Sequence, residues 1–506
     1  MSSSGNMIVA EEQVMARPVE TSHGHELFAL KALAQRSMAT LALRYGMVIA
    51  ISLAGTVTLS RLVGPRIWGI FAIAQVVCLS SQEIFGRGIA TYLIKKSGAP
   101  SATDLRNTFA LQQLLGLIFL TAASVMALPA SHWYHSRELA PLLFAAAMAS
   151  YAYAWRSVPV ALLERELDYV KVAFIEILEA ATFSGTAIVL AWLGHPIAGL
   201  VLALALRSLL PTMLAFTLKP VRPHLFFCRN TVSAVADFGL FVTGISVVNI
   251  VTLFVPALFV GKLAGVESLG LAQMALSLYS NLLFATAAVL RLSFSTYSRL
   301  TEYPGELQKT VNSNLETLAM VLAPAIVLFA GLSPVWTPLI FGAKWQLLPQ
   351  ILLGLAPGYL LVSIFWGIIN PALVVSGKHR YIFYYLAGST LVYALLTALL
   401  TPRLGALGVA VAFSANNLVS VPVLLRIYAS VHGKLRLRKV LTEITIGMVF
   451  VALLWAAARY SIAATALLML AYSTLWYMRN SHALRLVRGL IQGMLTGTQI
   501  SPQEVA

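Results

Sequence analysis

The side chains in this sequence that are best suited to chemistry are arginines placed inside long apolar segments. Six arginines lie within such segments, and five of them are candidate ligand-binding residues: Arg207, Arg87, Arg291, Arg44 and Arg156. A guanidinium carries a permanent positive charge and donates paired hydrogen bonds, so it suits phosphate and carboxylate groups. The pattern therefore predicts that the protein binds an anionic ligand.

The sequence lacks the motifs that would turn binding into bond-making. It contains no GxxxxGK[ST] phosphate loop, no HExxH zinc motif and no Asp-x-Asp pair. The nine histidines form no ligand cluster along the chain. We therefore expect a non-enzymatic protein that uses no metal and no cofactor.

Arg207 is the arginine that lies deepest in its apolar segment. It follows the start of that segment near Pro196 by about eleven residues, which is about 16 Å at 1.5 Å per residue. A charge at the bilayer centre costs about 2.5–3.5 kcal/mol, so it needs either a polar cavity or an ion-pair partner. Both alternatives stay open for Arg207. The other candidates lie nearer the ends of their segments, where snorkelling to the membrane surface is the alternative to ligand binding.

The composition of the chain requires these arginines to be carried by membrane-spanning helices. Of 506 residues, 59% are hydrophobic and 11% are charged, whereas soluble domains are about 45–50% apolar and about 25% charged. The mean hydropathy is +0.81, which excludes both a soluble fold and intrinsic disorder. The chain is predicted to be an all-α integral membrane protein of about fourteen spans. These lie near 41–62, 70–92, 107–128, 139–157, 172–193, 196–218, 237–262, 270–294, 311–333, 346–370, 381–401, 405–428, 440–459 and 461–478.

The distribution of lysine and arginine predicts how the chain is oriented in the membrane. With the amino terminus inside, the inside segments hold 22 of these residues and the outside loops hold seven. This bias predicts that both termini are cytoplasmic. It also accounts for most of the net charge of +16, so nucleic acid is not expected as a partner.

An internal repeat predicts the arrangement of the spans. Arg61–Gly69 and Lys262–Gly270 both fit [RK]-L-x-G-x-x-x-x-G, are offset by 201 residues and lie at outside turns. We expect the first glycine of each copy to need a positive φ and the second to ease a tight start of the next helix. Shifting Arg87 by the same offset reaches 288, one turn from Arg291, so matched arginines are expected in the two halves.

The repeat predicts two six-helix lobes that run in the same sense across the membrane, with a substrate site between them. The predicted divisions are a polar cytoplasmic tail, an N-terminal lobe, a C-terminal lobe, and an extra helix pair with a second tail. They cover residues 1–39, 40–230, 231–430 and 431–506.

Three stretches of the sequence resemble a known family. They are Leu59–Ala72, Pro159–Tyr169 and Phe341–Trp345, and the likeness extends over roughly residues 40–430. The chain resembles the Wzx-type polysaccharide flippases of the multidrug/oligosaccharidyl-lipid/polysaccharide exporter superfamily. This resemblance implies two six-helix lobes around a central cavity that opens to one side of the membrane at a time.

The resemblance also implies a function and a location. It implies a flippase that moves an undecaprenyl-diphosphate-linked oligosaccharide across the bacterial inner membrane, for the synthesis of exopolysaccharide, capsule or O-antigen. The implied partners are the lipid-linked oligosaccharide, membrane lipids, and polysaccharide polymerase and co-polymerase proteins.

Three alternatives remain open from the sequence. A multidrug or cation exporter of the same superfamily needs deep carboxylates, but Glu176 and Glu179 are expected at the start of a helix, where the helix dipole favours them. A membrane-embedded polysaccharide polymerase or ligase needs a sizeable outside loop, and the longest one is about Pro129–Glu138. A non-transporting scaffold is the third alternative.

Overall fold

The computed structural model describes residues 46–85, 93, 98, 100–221, 229–283, 293–294 and 296–496, and these residues form helices and no strand. Helices joined by short turns account for nearly all of the described chain, and we number the long ones in chain order. They are α1 (Gly46–Leu62), α2 (Pro65–Ile84), α3 (Ala102–Trp133), α4 (Leu139–Arg165), α5 (Tyr169–Trp192), α6 (Pro196–Leu218), α7 (Arg229–Leu263), α8 (Gly265–Leu282), α9 (Pro304–Gly331), α10 (Leu348–Val375), α11 (His379–Leu404), α12 (Ala406–His432), α13 (Arg438–Tyr460) and α14 (Ile462–Thr496). A short helix, Ser333–Phe341, and a 3-10 turn, Ala343–Trp345, lie between α9 and α10.

Each predicted span overlaps one of these helices. In the described part of the chain, ten helices are long and apolar enough to cross a membrane, judged by length and composition. An all-helical architecture suits a bilayer, because a helix pairs its backbone groups internally and lipid offers them no hydrogen-bond partner. The predicted all-α membrane fold is therefore confirmed, while the number of fourteen crossings stays a prediction.

Polar side chains mark where helices begin. Ser101 caps α3, since its hydroxyl accepts a hydrogen bond from the backbone nitrogen of Asp104 at 3.1 Å. The Asp104 carboxylate in turn accepts one from the backbone nitrogen of Ser101 at 2.9 Å. Asp168 caps α5 by accepting a hydrogen bond from the backbone nitrogen of Lys171 at 3.3 Å. Such caps satisfy backbone donors that have no partner within the helix.

The helices pack in two groups. In the first group α2 packs on α4, α3 on α4, and α6 on both α4 and α5; in the second, α7 packs on α11, α9 on α10, and α12 on both α10 and α11. Helix α13 packs against α9, and α14 packs against α13. This packing agrees with two lobes and an appended pair, and the boundaries proposed from the sequence stay a prediction.

The two lobes meet where α2 crosses α8, and the repeat glycines lie at that crossing. A Cβ atom built on Gly69 would lie 1.8 Å from the carbonyl oxygen of Val266, and one built on Gly270 would lie 1.9 Å from that of Pro65. The second glycine of each repeat therefore allows two backbones to touch, and the expectation that it eases a tight turn is wrong.

The first glycines of the two repeat copies differ from each other. Gly265 has a φ of +86°, as expected for a residue that ends one helix and starts the next. Gly64 has a φ of −87° and precedes Pro65 in extended conformation. The expected positive φ is therefore confirmed for Gly265 and wrong for Gly64, because proline at the first helical position favours an extended residue before it.

Candidate functional site

Two of the candidate arginines share one carboxylate inside the first lobe. Nη2 of Arg156, on α4, lies 2.5 Å from Oε2 of Glu179, on α5. Nη2 of Arg207, on α6, lies 3.0 Å from Oε1 of the same glutamate. The three side chains are 6%, 18% and 15% exposed for Arg156, Glu179 and Arg207. We call Arg156, Glu179 and Arg207 the arginine–glutamate cluster.

Aromatic and amide groups complete the surroundings of the cluster. The Arg207 guanidinium lies 5.1 Å from the ring centre of Phe183, and its Nη1 lies 3.4 Å from Oε1 of Gln75. The Arg156 guanidinium lies 4.7 Å from the ring centre of Tyr153. Ring faces attract cations, so these contacts hold the guanidiniums in place.

The Nη1 atom of Arg156 is an unused donor. It is buried and has no hydrogen-bond partner among the described residues. The three ionised side chains of the cluster carry a net charge of +1, since one carboxylate faces two guanidiniums. A buried guanidinium N–H that lacks a partner can donate a hydrogen bond to an additional anionic ligand.

The cluster borders a small polar cavity. The residues that line this cavity come from α2, α4, α5 and α6: Cys78, Ser81, Gln82, Ala149, Ser150, Tyr153, Arg156, Glu179, Arg207 and Ser208. Ser150 and Tyr153 precede Arg156 at intervals of three residues, so all three lie on one face of α4. In the same way Glu179 and Phe183 are four residues apart on α5, and both contact Arg207.

The structure thus brings together two of the five candidate residues. Arg156 and Arg207 meet through Glu179, so Arg207 has both a polar cavity and an ion-pair partner beside it. The other three candidates, Arg44, Arg87 and Arg291, lie outside the described residues.

Glu179 was missed as a site residue at the sequence level. The expectation that it begins its helix is wrong, because α5 starts at Tyr169, almost three turns earlier, and the dipole acts mainly on the first turn. The signal that would have found it is a carboxylate well inside an apolar helix, which is costly unless it is paired.

A second set of contacts joins the two lobes at their predicted outside end. Nε of Arg61 donates a hydrogen bond to the carbonyl oxygen of Ile340 at 2.6 Å, and Nη2 donates to that of Leu339. Nε1 of Trp345 donates to the carbonyl oxygen of Ser60 at 3.0 Å. These bonds attach the end of α1 to the segment between α9 and α10.

Similar contacts attach α3 to α7 at the same end. The Tyr134 hydroxyl donates to the carbonyl oxygen of Ala257 at 3.0 Å. Nζ of Lys262 donates to the carbonyl oxygen of Trp133 at 3.0 Å and lies 4.5 Å from the centre of its ring. We call the contacts of Arg61, Trp345, Tyr134 and Lys262 the outer clamp.

The outer clamp joins the two halves at one end of the molecule. Among the described residues, the hydrogen bonds between α1–α6 and α7–α12 all lie at this end, including one from Lys344 to the Leu62 carbonyl at 3.4 Å. Trp68 packs edge-on against Trp345 beside them, with ring centres 6.4 Å apart.

Comparisons with known proteins agree with this architecture. Residues 58–348 match the family described as polysaccharide biosynthesis protein. The chain is 22% identical over 310 residues to the lipopolysaccharide biosynthesis protein WzxC of Escherichia coli strain K12, covering 60% of this chain and 62% of that protein. It is 21% identical over 289 residues to the succinoglycan biosynthesis transport protein ExoT of Rhizobium meliloti strain 1021, covering 57% and 58%. The matches span about three fifths of the length of these relatives.

Solved structures share the fold over a larger part of the chain. The lipid II flippase MurJ in an inward closed conformation superimposes with a TM-score of 0.69 at 15% identity, covering 87% of this chain and 98% of MurJ. An inward-facing multidrug resistance transporter of the MATE family superimposes with a TM-score of 0.56 at 16% identity, covering 78% and 97%. These likenesses concern the fold, and with the family match they confirm the resemblance drawn from the sequence motifs.

Proposed function

Because the chain belongs to the polysaccharide biosynthesis protein family, we propose that it is a flippase that moves an undecaprenyl-diphosphate-linked oligosaccharide across the bacterial inner membrane. It acts as a transporter and makes or breaks no covalent bond. Its product serves the synthesis of exopolysaccharide, capsule or O-antigen. The names of WzxC and ExoT, which concern lipopolysaccharide and succinoglycan biosynthesis, support this assignment.

The observation that carries the proposal is the buried arginine–glutamate cluster. The diphosphate of a lipid-linked sugar is strongly anionic, and guanidinium groups bind phosphate oxygens in pairs. Arg156 and Arg207 present such groups inside the first lobe, and their net charge is only partly neutralised by Glu179. The cluster would hold the diphosphate while sugar and lipid extend away from it.

The outer clamp supports transport by alternating access. With the lobes joined at the predicted outside end, the route to the cavity runs from the cytoplasm, where both termini are predicted to lie. Substrate that bridges the lobes would lower the free energy of the opposite conformation and so couple binding to the exchange. Release to the outer leaflet then requires the contacts of Arg61 and Trp345 to break.

Further arginines would share the work of binding. We infer that Arg87 and Arg291, one from each lobe, grip the head group on the cytoplasmic side, with Arg44 near the entrance. Arg207, deeper, then receives it. A single guanidinium in a water-filled vestibule would gain little after screening, so several are needed. Polymerase and co-polymerase proteins are proposed as partners that use the exported repeat unit.

Export of drugs or other cations is less well supported. A cation exporter needs a free carboxylate in its cavity, and Glu179 is deep enough to provide one. It lies within 3.0 Å of two guanidiniums, however, and their net positive charge would repel a cation.

Deletion of the gene in its own bacterium tests the proposal. We expect surface polysaccharide to disappear and lipid-linked repeat units to accumulate on the cytoplasmic leaflet, where an impermeant lectin reaches them only after the inner membrane is opened. The wild-type gene should restore export. Normal surface polysaccharide after deletion, or repeat units that accumulate on the outer leaflet, would contradict a flippase function.

A further inference from the structure

We propose that Glu179 is an internal competitor of the transported anion: it occupies Arg156 and Arg207 in the empty site, and a diphosphate displaces it. The inference rests on the proposed function for the identity of the substrate. It assigns to Glu179 the role of a positioning residue that sets how tightly the anion is held.

The geometry of the carboxylate resembles that of a bound phosphate. Glu179 directs Oε2 to Arg156 at 2.5 Å and Oε1 to Arg207 at 3.0 Å, one oxygen for each guanidinium. A phosphate group also offers separate oxygens to two donors. The carboxylate and the substrate therefore compete for the same hydrogen-bond donors.

The cluster favours the exchange because Glu179 does not saturate it. Nη1 of Arg156 has no hydrogen-bond partner among the described residues, and the cluster carries a net charge of +1. A diphosphate supplies more negative charge and more acceptor oxygens than one carboxylate does. It can satisfy the donors that Glu179 already uses as well as the one that remains unused.

The surroundings of Glu179 can receive the displaced carboxylate. The same cavity is lined by the hydroxyl group of Tyr153 and by the amide of Gln82, both of which can donate hydrogen bonds. The hydroxyls of Ser81 and Ser150, which also line it, donate to the carbonyl oxygens of Cys78 and Ala146. Glu179 therefore has polar partners available besides the two guanidiniums.

Competition of this kind has a use in transport. A site with two unopposed buried guanidiniums would hold a diphosphate so tightly that release would be slow, and passage requires binding that is also reversible. When the lobes change conformation, Glu179 can return to Arg156 and Arg207 and expel the head group. A purely structural ion pair, by contrast, would leave anion affinity unchanged when the carboxylate is removed.

The test is anion binding by the purified full-length protein in lipid nanodiscs. We compare wild type with Glu179→Gln and Glu179→Asp, using inorganic pyrophosphate as one probe and a prenyl diphosphate carried in the lipid as the other. Glu443→Gln is the matched control, since Glu443 forms a comparable ion pair with Arg479 at 2.9 Å on the appended helices.

We expect Glu179→Gln to bind both probes about tenfold more tightly than wild type. Glu179→Asp keeps the charge, but its shorter side chain reaches the two guanidiniums less well. Its affinity for the probes should therefore lie between those of wild type and Glu179→Gln. Glu443→Gln should bind like wild type. If Glu179→Gln fails to fold, the inference is tested by Glu179→Asp alone, which should bind both probes more tightly than wild type.

A second readout is export in cells, where Glu179→Gln should lower surface polysaccharide although it binds the anion more tightly. Unchanged or weaker pyrophosphate binding in the Glu179 variants would overturn the inference, as would tighter binding of the prenyl diphosphate alone. Failure of the proposed function looks different: deletion of the gene would leave surface polysaccharide intact while the variants still bound pyrophosphate more tightly.

Discussion

Gly69 and Gly270 occupy equivalent positions of the 201-residue repeat and pack backbone against backbone where α2 crosses α8. Each approaches a residue in the first turn of the opposite helix, Gly69 the carbonyl of Val266 and Gly270 that of Pro65. Pro65 and Val266 are themselves separated by the repeat offset. The contact is therefore reciprocal, as expected where equivalent helices of a repeat cross each other.

Adding a methyl group at this crossing should destabilise the protein. We expect Gly69→Ala and Gly270→Ala each to lower the free energy of unfolding by about 1–3 kcal/mol, since the new Cβ would meet rigid backbone. Gly185→Ala is the matched control, because a Cβ at this helical glycine meets nothing within 4 Å. Thermal unfolding followed by size-exclusion chromatography measures the effect. Equal unfolding temperatures for Gly69→Ala and Gly185→Ala would argue against the close crossing.

Weakening the outer clamp should open the cavity to the outside. Arg61→Ala removes two hydrogen bonds between the lobes, and at about 0.5–1.5 kcal/mol each this shifts the balance towards the outward-open state. The measurement uses Ser150→Cys in a chain from which Cys78 and Cys228 have been removed. An impermeant thiol reagent added from the outside should label this cysteine faster when Arg61→Ala is present than when it is absent.

Arg403→Ala, at the end of α11, provides the control for the clamp, and it should leave the labelling rate of Ser150→Cys unchanged. Equal rates for the Arg61 and Arg403 variants would mean that the clamp does not hold the lobes together.

The orientation of the chain is tested at the second copy of the repeat. Ser268→Cys lies near the start of α8 and should react with an impermeant reagent in cells stripped of their outer barrier. Ser430→Cys, at the predicted cytoplasmic end of α12, should react only once the inner membrane is opened. Reversal of this pattern would overturn the predicted topology.

Replacement of Arg207 should abolish surface polysaccharide. Arg207→Ala leaves Glu179 paired with Arg156 at 2.5 Å, so we expect normal abundance in the membrane together with loss of export. Arg207→Lys should restore export only in part, because an ammonium group lacks the planar fork. Arg426→Ala serves as the control, since Arg426 is an exposed residue in the last two turns of α12, where its side chain can reach the membrane surface. Loss of protein from both Arg207 variants would instead assign Arg207 a structural role.

The two lobes should contribute arginines to one ligand. Arg87→Ala and Arg291→Ala are each expected to weaken transport, and the double variant should lose less than the sum of the two effects on a free-energy scale. Initial rates of export measured for the four proteins of the cycle provide the check. Fully additive losses, or no loss from either change, would indicate that both side chains extend to the membrane surface and do not bind a common ligand.

The class of the fold and the existence of the repeat could both be predicted from the order of the amino acids. A chain that is 59% hydrophobic, with its apolar residues in runs of about 20, is typical of membrane-spanning helices, which satisfy their backbone hydrogen bonds within each segment. The paired motifs at Arg61–Gly69 and Lys262–Gly270 indicated the duplication. A turn between two helices is encoded by adjacent residues, so a repeated turn can be recognised in the sequence.

Which distant residues meet could not be predicted in this way. Arg156, Glu179 and Arg207 lie on three different helices, and their contact depends on how those helices are rotated and how they cross. That arrangement results from many weak packing contacts spread along the whole chain. The repeat glycines make the same point: the sequence located them at turns, but their function follows from the opposite helix. Local spacing determines the partners of a residue within its own helix, whereas partners across helices are set by packing.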